Sequence, residues 1–306
     1  MTTVFDPILV SFAADVGPSG PVTIRGGGTR WGLGGDLEPG TRELVAPDGV
    51  VGYQPDEMTV RVRAGTRMSD LHAELAEARQ RTALPVRAGG TVGGALAVGE
   101  SPIERLGRGL VRDVLLQAVY VAADGQLVTA GGPTVKNVSG FDLARLLVGS
   151  LGTIGLIAEV ILRTQPIPDC EEWLGCDGAD PTVVLGACGT AASILWDGDS
   201  TWVLLSGFEP DVAADRSALE TIGSFRSAQP PELPVHRWSR TPSEALVLDP
   251  VQTGSFVSEV GVGIVHAEHP DQVRPQPSGL AAIETRVRDR FDPTRRLSPG
   301  RRPGAR

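Results

Sequence analysis

Lys136-Asn137-Val138-Ser139-Gly140-Phe141-Asp142-Leu143 and, shortly after it, Gly149-Ser150-Leu151-Gly152-Thr153-Ile154-Gly155 form the most informative stretch of this 306-residue chain. A polar segment carrying the chain's one lysine passes into a short amphipathic helical pattern over 141–148. A turn with glycine at every third position follows and leads straight into the apolar run 156–162, a buried-strand signal. Glycine has no Cβ, so the backbone at 149, 152 and 155 can lie against a flat ring or a phosphate. Close packing between two strands asks for the same residues, and on this turn alone both readings stand.

Outward from it lie two more glycine loops. Val22-Thr23-Ile24-Arg25 alternates like a short strand and opens into Gly26-Gly27-Gly28-Thr29, whose backbone N–H groups suit an anion-binding nest. A tight turn needs the same glycines. The pattern is not the dinucleotide fingerprint, because Trp31 takes its sixth position, and it is not a P-loop, because no Gly-Lys-Ser/Thr follows. The other loop is Thr91-Val92-Gly93-Gly94-Ala95. Three such loops within one domain favour an extended nucleotide cofactor running past all of them, with a pyrophosphate at the first.

Between and beyond them the chain reads as α+β, with a glycine-punctuated domain over 1–168 and a smaller α+β domain over 169–306 whose C-terminal tail returns to the first. Residues 1–20 are weakly patterned. Strand signals fall at 43–46, 58–63 and 114–121, the last turned back by Asp124-Gly125. Leu71, Leu75 and Ala78 share a helical face, with Ser69 placed as its cap. Beyond Pro166 and Pro168, strands are expected over 183–187, 201–206 and 261–265, a helix over 213–222, and loops over 230–234 and 273–279.

Composition narrows the function classes. The net charge of -9 has no run of either sign, which argues against a nucleic-acid surface. Hydrophobic residues at 41% suffice for a core, and no stretch of 18 apolar residues spans a membrane. Cys170, Cys176 and Cys188 contain no Cys-x-x-Cys pair, so no iron–sulfur cluster and no metal site is expected in this chain, and free thiols fit a cytoplasmic protein.

At the quoted residues the chain resembles the vanillyl-alcohol-oxidase, or PCMH-type, FAD-binding superfamily almost throughout 50–168. Lys136–Leu143 and Gly149–Gly155 are similar to the Lys-Asn-Val-Ala-Gly-Tyr-Asp and Gly-Ser-Leu-Gly-Thr-Leu-Gly segments of glycolate oxidase FAD-binding subunits. Phe291-Asp292-Pro293 and Leu297-Ser298-Pro299-Gly300-Arg301 resemble their closing segment. Matches at both ends are expected of a whole chain rather than a fragment. The cell-wall precursor reductase that shares this FAD fold suits the length but not these two segments.

The resemblance implies a PCMH-type domain of two α/β subdomains holding FAD. Arg25, Gly26, Gly27, Gly28 and Thr29 would hold the pyrophosphate, and Thr91, Gly93 and Gly94 would pass the ribityl chain and ring. Arg112 and Asp113 would sit near the cofactor. Lys136, Asn137, Gly149, Gly152 and Thr153 would close over the flavin side, with Lys136 either facing reduced flavin or in a surface ion pair. Ile157 would meet the adenine end. The first loop holds no histidine or cysteine, so the FAD is expected to be non-covalent. Val98-Gly99-Glu100-Ser101 departs from the family's Asn-Ala-Ser-Gly, and Phe141 from its tyrosine.

Dehydrogenation of a 2-hydroxy acid such as glycolate needs a base for the hydroxyl and a cation for the carboxylate. No catalytic residue is assigned from the sequence. His266 and His269 lie three apart and read as exposed edge residues, and His236, Arg237, Trp238 and Arg240 as a solvated loop. Two expectations therefore coexist. One is a dehydrogenase subunit passing electrons to an iron–sulfur partner, and the other is a non-catalytic FAD-bearing subunit beside a paralogous flavoprotein chain.

Overall fold

A computed structural model of the chain describes residues 5–132, 143–271 and 278–304. They fall into two compact units. The first comprises Met1–Pro102, Leu110–Ile167 and Gln276–Arg306, and the second Ile103–Gly109 and Pro168–Pro275.

The first unit opens with a helix, Pro7–Val16, where the sequence shows little pattern. Its start has a local cause. Asp6 accepts the Ile8 N–H at 2.8 Å and Pro7 occupies the first turn, while Leu9, Phe12 and Val16 are buried. β1 (Val22–Ile24) and β2 (Arg42–Leu44) pair in parallel, and Val22 also bridges to Leu297 of the tail. β3 (Val50–Gln54) and β4 (Thr59–Arg63) begin a separate antiparallel sheet, and β5 (Gln80–Arg81) lies outside it. β6 (Leu115–Val121), β7 (Leu127–Gly131) and β8 (Leu156–Arg163) complete that sheet in the order β3-β4-β8-β6-β7, and β9 (Gln165–Pro166) pairs with β5.

β8 is central, which explains its unbroken apolar run: Leu156, Ile157, Ala158, Val160 and Leu162 are all buried. Glu159, the charge in the middle of this run, is buried and held by Arg61 Nε at 2.6 Å. Helix Met68–Glu77 lays Leu71 and Leu75 into the core as the spacing predicts, joined by Met68, whereas Ala78 of the expected face ends the helix as its C-cap and is only half-buried. Ser69 is not its cap, however, because Arg67 holds that position and Ser69 donates to Asp70 instead.

The tail is tied down by charge-assisted hydrogen bonds. Arg296, only 5% exposed, donates to the carbonyls of Gly20, Ala123, Val16 and Ser19. The fully buried Asp292 accepts the Leu297 N–H at 2.7 Å, and Ser298 meets Thr23 at 2.8 Å.

In the second unit β10 (Cys170–Asp177), β11 (Ala191–Trp196), β12 (Ser200–Gly207), β13 (Arg226–Ser227), β14 (His236–Ser239), β15 (Phe256–Glu259) and β16 (Ile264–Ala267) form one sheet. Its order is β13-β10-β12-β11-β15-β16-β14, antiparallel throughout. Leu174, Ile194, Val203 and Leu205 pack with Val184, Val212 and Leu219 of the helices Pro181–Ala187 and Glu209–Ile222.

Two expectations are corrected here. Residues 183–187 are helical, not a strand, since Asp180 accepts the Thr182 N–H and Pro181 presets the first turn. The strand expected from 261 starts only at Ile264, because Gly261 and Gly263 are left-handed (φ +77° and +81°) and form the turn before it.

Candidate cofactor site

Much of the glycine content of the first unit serves the protein's own packing. A Cβ on Gly27 would stand 1.7 Å from the Gly89 carbonyl oxygen, and one on Gly26 would stand 2.4 Å from Thr91 Oγ1. The first and second glycine loops therefore interlock. Gly93 sits against Ala64, where a Cβ would lie 2.7 Å from that methyl group, while Thr91 caps the helix Val92–Val98 by accepting the Gly94 N–H. Gly28 differs. Its φ of +68° requires glycine, and nothing nearer than 3.8 Å would meet a Cβ.

These loops border two clefts, each open to solvent, which enclose about 790 and 810 Å³ of non-atom space. They share Ile24, Gly26, Thr91, Gly94, Ala97 and Leu151 as lining and so adjoin, and together they are treated as one cleft. Five arginines and one glutamate line it (Arg25, Arg30, Arg67, Arg87, Arg301 and Glu100), a strongly positive lining in a chain of net charge -9. Such a cleft suits a dianionic diphosphate.

Several of the arginines also shape the cleft. Arg25 pairs with Glu43 at 3.0 Å, and Arg25 and Arg301 lie 4.9 and 4.8 Å from the Trp31 ring. Arg67 donates to the Gly89 carbonyl at 2.6 Å and Arg301 to that of Leu33 at 2.8 Å. Glu100, 5% exposed, takes Arg30 at 3.0 Å and Arg87 at 3.1 Å. Burial pushes the Arg87 guanidinium below its ordinary range, helped by the charge of Arg30 and opposed by Glu100. The Nε of Arg30 is buried without a partner.

The structure brings together most of the residues singled out from the sequence. Gly27, Gly28 and Thr29 line the first cavity, and Arg25, Gly93, Gly152 and Ile157 the second, while Gly26, Thr91 and Gly94 line both. Four others line neither. Arg112 and Asp113 lie in the short helix Val111–Val114, where Asp113 pairs with Arg145 at 3.3 Å. Gly149 donates to the Leu96 carbonyl, and the buried Thr153 donates to that of Ser150, so both shape the turn that presents Leu151 and Gly152. Lys136 and Asn137 lie outside the described residues. Sequence reasoning missed Arg30, Trp31, Arg67 and Arg87, whose role depends on which loops meet, and it registered Glu100 only as a departure from pattern.

In the second unit, His266 is not an exposed edge residue. β16 is an inner strand, and His266 Nε2 lies 2.8 Å from Glu259 Oε1, with Glu259 2% exposed and its other oxygen buried without a partner. Arg240 is held by both oxygens of Asp271 at 2.8 and 2.7 Å, which keeps its pKa above the ordinary range, and stands 4.6 Å from the Trp238 ring. Among the described residues no helix is long and apolar enough to cross a membrane.

Comparison with known proteins agrees with this geometry. Residues 13–131 match the family described as FAD binding domain. Glycolate oxidase subunit GlcE of Escherichia coli is 29% identical over 259 residues, which cover 75% of this chain and 71% of that one. A D-lactate dehydrogenase of Archaeoglobus fulgidus is 33% identical over 150 residues, covering 48% of this chain but only 33% of the enzyme. Among solved structures, alkyldihydroxyacetonephosphate synthase superposes with a TM-score of 0.70 over 95% of this chain and 73% of its own, and its 13% identity speaks to fold alone. Residues 13–131 thus belong to a PCMH-type FAD-binding domain, and the chain is a FAD-linked oxidoreductase related to glycolate oxidase subunits and D-lactate dehydrogenases, with FAD as its cofactor.

Proposed function

We propose that this chain is the FAD-bearing subunit of a cytoplasmic complex that dehydrogenates a 2-hydroxy acid of the glycolate type and passes the electrons to an iron–sulfur partner. The observation that carries this reading is the arginine-lined cleft, bordered by glycine loops, in a chain similar over most of its length to a glycolate oxidase subunit. Residues 1–168 act as the cofactor domain and 169–306 as the cap or substrate domain, with the tail returning to the former.

Arg25 to Thr29 hold the pyrophosphate, supported by the buried, unpartnered Nε of Arg30 beside them. Thr91, Gly93 and Gly94 pass the ribityl chain and ring, and Ile157 meets the adenine end. When bound, FAD supplies an acceptor at N5 for the hydride leaving the substrate carbon. The loop around Thr29 offers no histidine or cysteine to the ring, which favours a non-covalent cofactor released by acid precipitation.

A second reading has its own support. The histidine of β16 is engaged by Glu259, and Arg240 is held by both oxygens of Asp271, so neither of these two stands free as a base or carboxylate anchor. That favours an accessory, electron-carrying role beside a paralogous flavoprotein subunit. The anaerobic visible spectrum of purified protein, before and after glycolate, lactate or 2-hydroxyglutarate, separates the two. Bleaching by one acid supports the catalytic subunit and identifies its substrate class. Flavin that stays oxidised with all three supports the accessory role. Protein that takes up no FAD on reconstitution overturns both.

A further inference from the structure

Among the described residues, Glu100 is the one carboxylate lining a cleft whose other charged side chains are arginines. Its place there calls for a reason. Arg30 Nη2 and Arg87 Nη2 converge on the same oxygen, Glu100 Oε2, at 3.0 and 3.1 Å. Two guanidinium groups this close repel each other, and a shared, buried carboxylate holds them side by side. Each guanidinium has five N–H donors, so a single shared oxygen uses a small part of their capacity. The segment that carries Glu100 also caps the helix Val92–Val98 through Gly99 (φ +69°), which fixes the carboxylate's position at the cavity wall.

We propose that Glu100 is a positioning residue that sets the charge of the cofactor cleft. It keeps Arg30 and Arg87 together at the wall and offsets one of their two positive charges. The cleft thereby favours the reduced, anionic cofactor less strongly than two free arginines would. The proposal rests on FAD being the ligand, and it concerns affinity and potential rather than turnover. A merely structural Glu100 would lower FAD affinity when replaced, as any loosened wall does. A charge-setting Glu100 does the opposite.

The test compares wild type, Glu100→Gln, Glu100→Asp and Arg87→Gln. FAD is titrated into each apoprotein at low and high salt, and the flavin midpoint potential of each holoprotein is measured against a reference dye. Glu100→Gln is expected to favour reduced over oxidised FAD by roughly tenfold more than wild type, the order expected of a single charge removed in a protein-like dielectric. That is a rise of about 30 mV for a two-electron couple. Its FAD affinity should also become more salt-sensitive. Arg87→Gln is expected to move the potential down, and Glu100→Asp to stay near wild type. Glu100→Gln and Arg87→Gln shifting in the same direction, or neither shifting, overturns the proposal, and so does a folded Glu100→Gln protein that binds FAD more weakly. Wild-type apoprotein that takes up no FAD would instead remove the cofactor reading on which the proposal stands.

Discussion

In the first unit charge gathers around open space, with five arginines and Glu100 lining two adjoining cavities, whereas in the second unit Glu259, only 2% exposed, and His266 sit inside a sheet and engage each other. Directly paired residues share a sheet face, so Glu259 and His266 lie on the same face as Leu195, Val257 and Ile264, all buried. The same kinds of group thus meet two physical situations. Around the cleft, unused N–H donors are available to an anionic ligand. On the sheet, a carboxylate has one oxygen on a histidine and the other on nothing. The first arrangement is built to receive something, and the second is sealed.

The largest effect that would break this contrast comes from the sealed pair. His266→Ala leaves the Glu259 carboxylate buried among aliphatic side chains with no partner, and about 4 kcal/mol of stability is expected to go, in line with other buried pairs that lose one member. Replacing both by leucine should recover most of that loss. Urea unfolding reads both numbers. A cost below about 1 kcal/mol, the size of a solvated surface pair, would mean that water reaches the pair and that the second unit is as open as the first.

Next in size are the glycines, which sharpen the contrast inside the cleft itself. Gly27→Ala must move backbone, since its Cβ would stand 1.7 Å from the Gly89 oxygen, and overpacking of this kind costs about 3 kcal/mol. Stability and flavin content should fall together. Gly28→Ala has room and only its left-handed φ of +68° to oppose it, so about 1 kcal/mol is expected. If Gly28 lets the backbone approach a pyrophosphate, that variant loses FAD affinity out of proportion to its thermal shift. Equal losses in both readouts would make Gly28 a turn residue only.

How much of this the sequence discloses follows from how local each cause is. The glycine turns, the β6–β7 hairpin at Asp124-Gly125 and the buried strand β8 depend on neighbours along the chain, and the structure has them where the residues point. Helix Pro181–Ala187 was equally local. Its β-branched residues outweighed the Asp180-Pro181 start signal in a reading by periodicity. The Arg30–Glu100–Arg87 cluster and the Glu259–His266 pair are different in kind. The first needs three loops to meet, and the second needs the register of β15 against β16, seven residues apart across a turn of two left-handed glycines. No periodicity along the chain encodes either.

The smallest expected effect concerns a thiol of the second unit and asks how well its core is sealed. Burial pushes the Cys188 thiol up to about 11, and the nearby Asp215 carboxylate adds to the rise. At pH 8 only about one molecule in a thousand would then carry the thiolate, against roughly a quarter for an ordinary thiol near 8.5, so alkylation of Cys188 should be slow and should accelerate tenfold per pH unit up to about pH 10. The sign for stability follows from the same shift. The folded state holds this proton more tightly than the unfolded chain does, so its contribution is complete below about pH 8.5 and is lost as pH rises toward 11. Peptide-resolved alkylation rates between pH 7 and 10 measure it directly. A Cys188 that reacts at pH 8 like a free thiol would mean that solvent reaches the packing beneath the helix Pro181–Ala187, and the sealed character assigned to the second unit would then hold for the Glu259 face of its sheet alone.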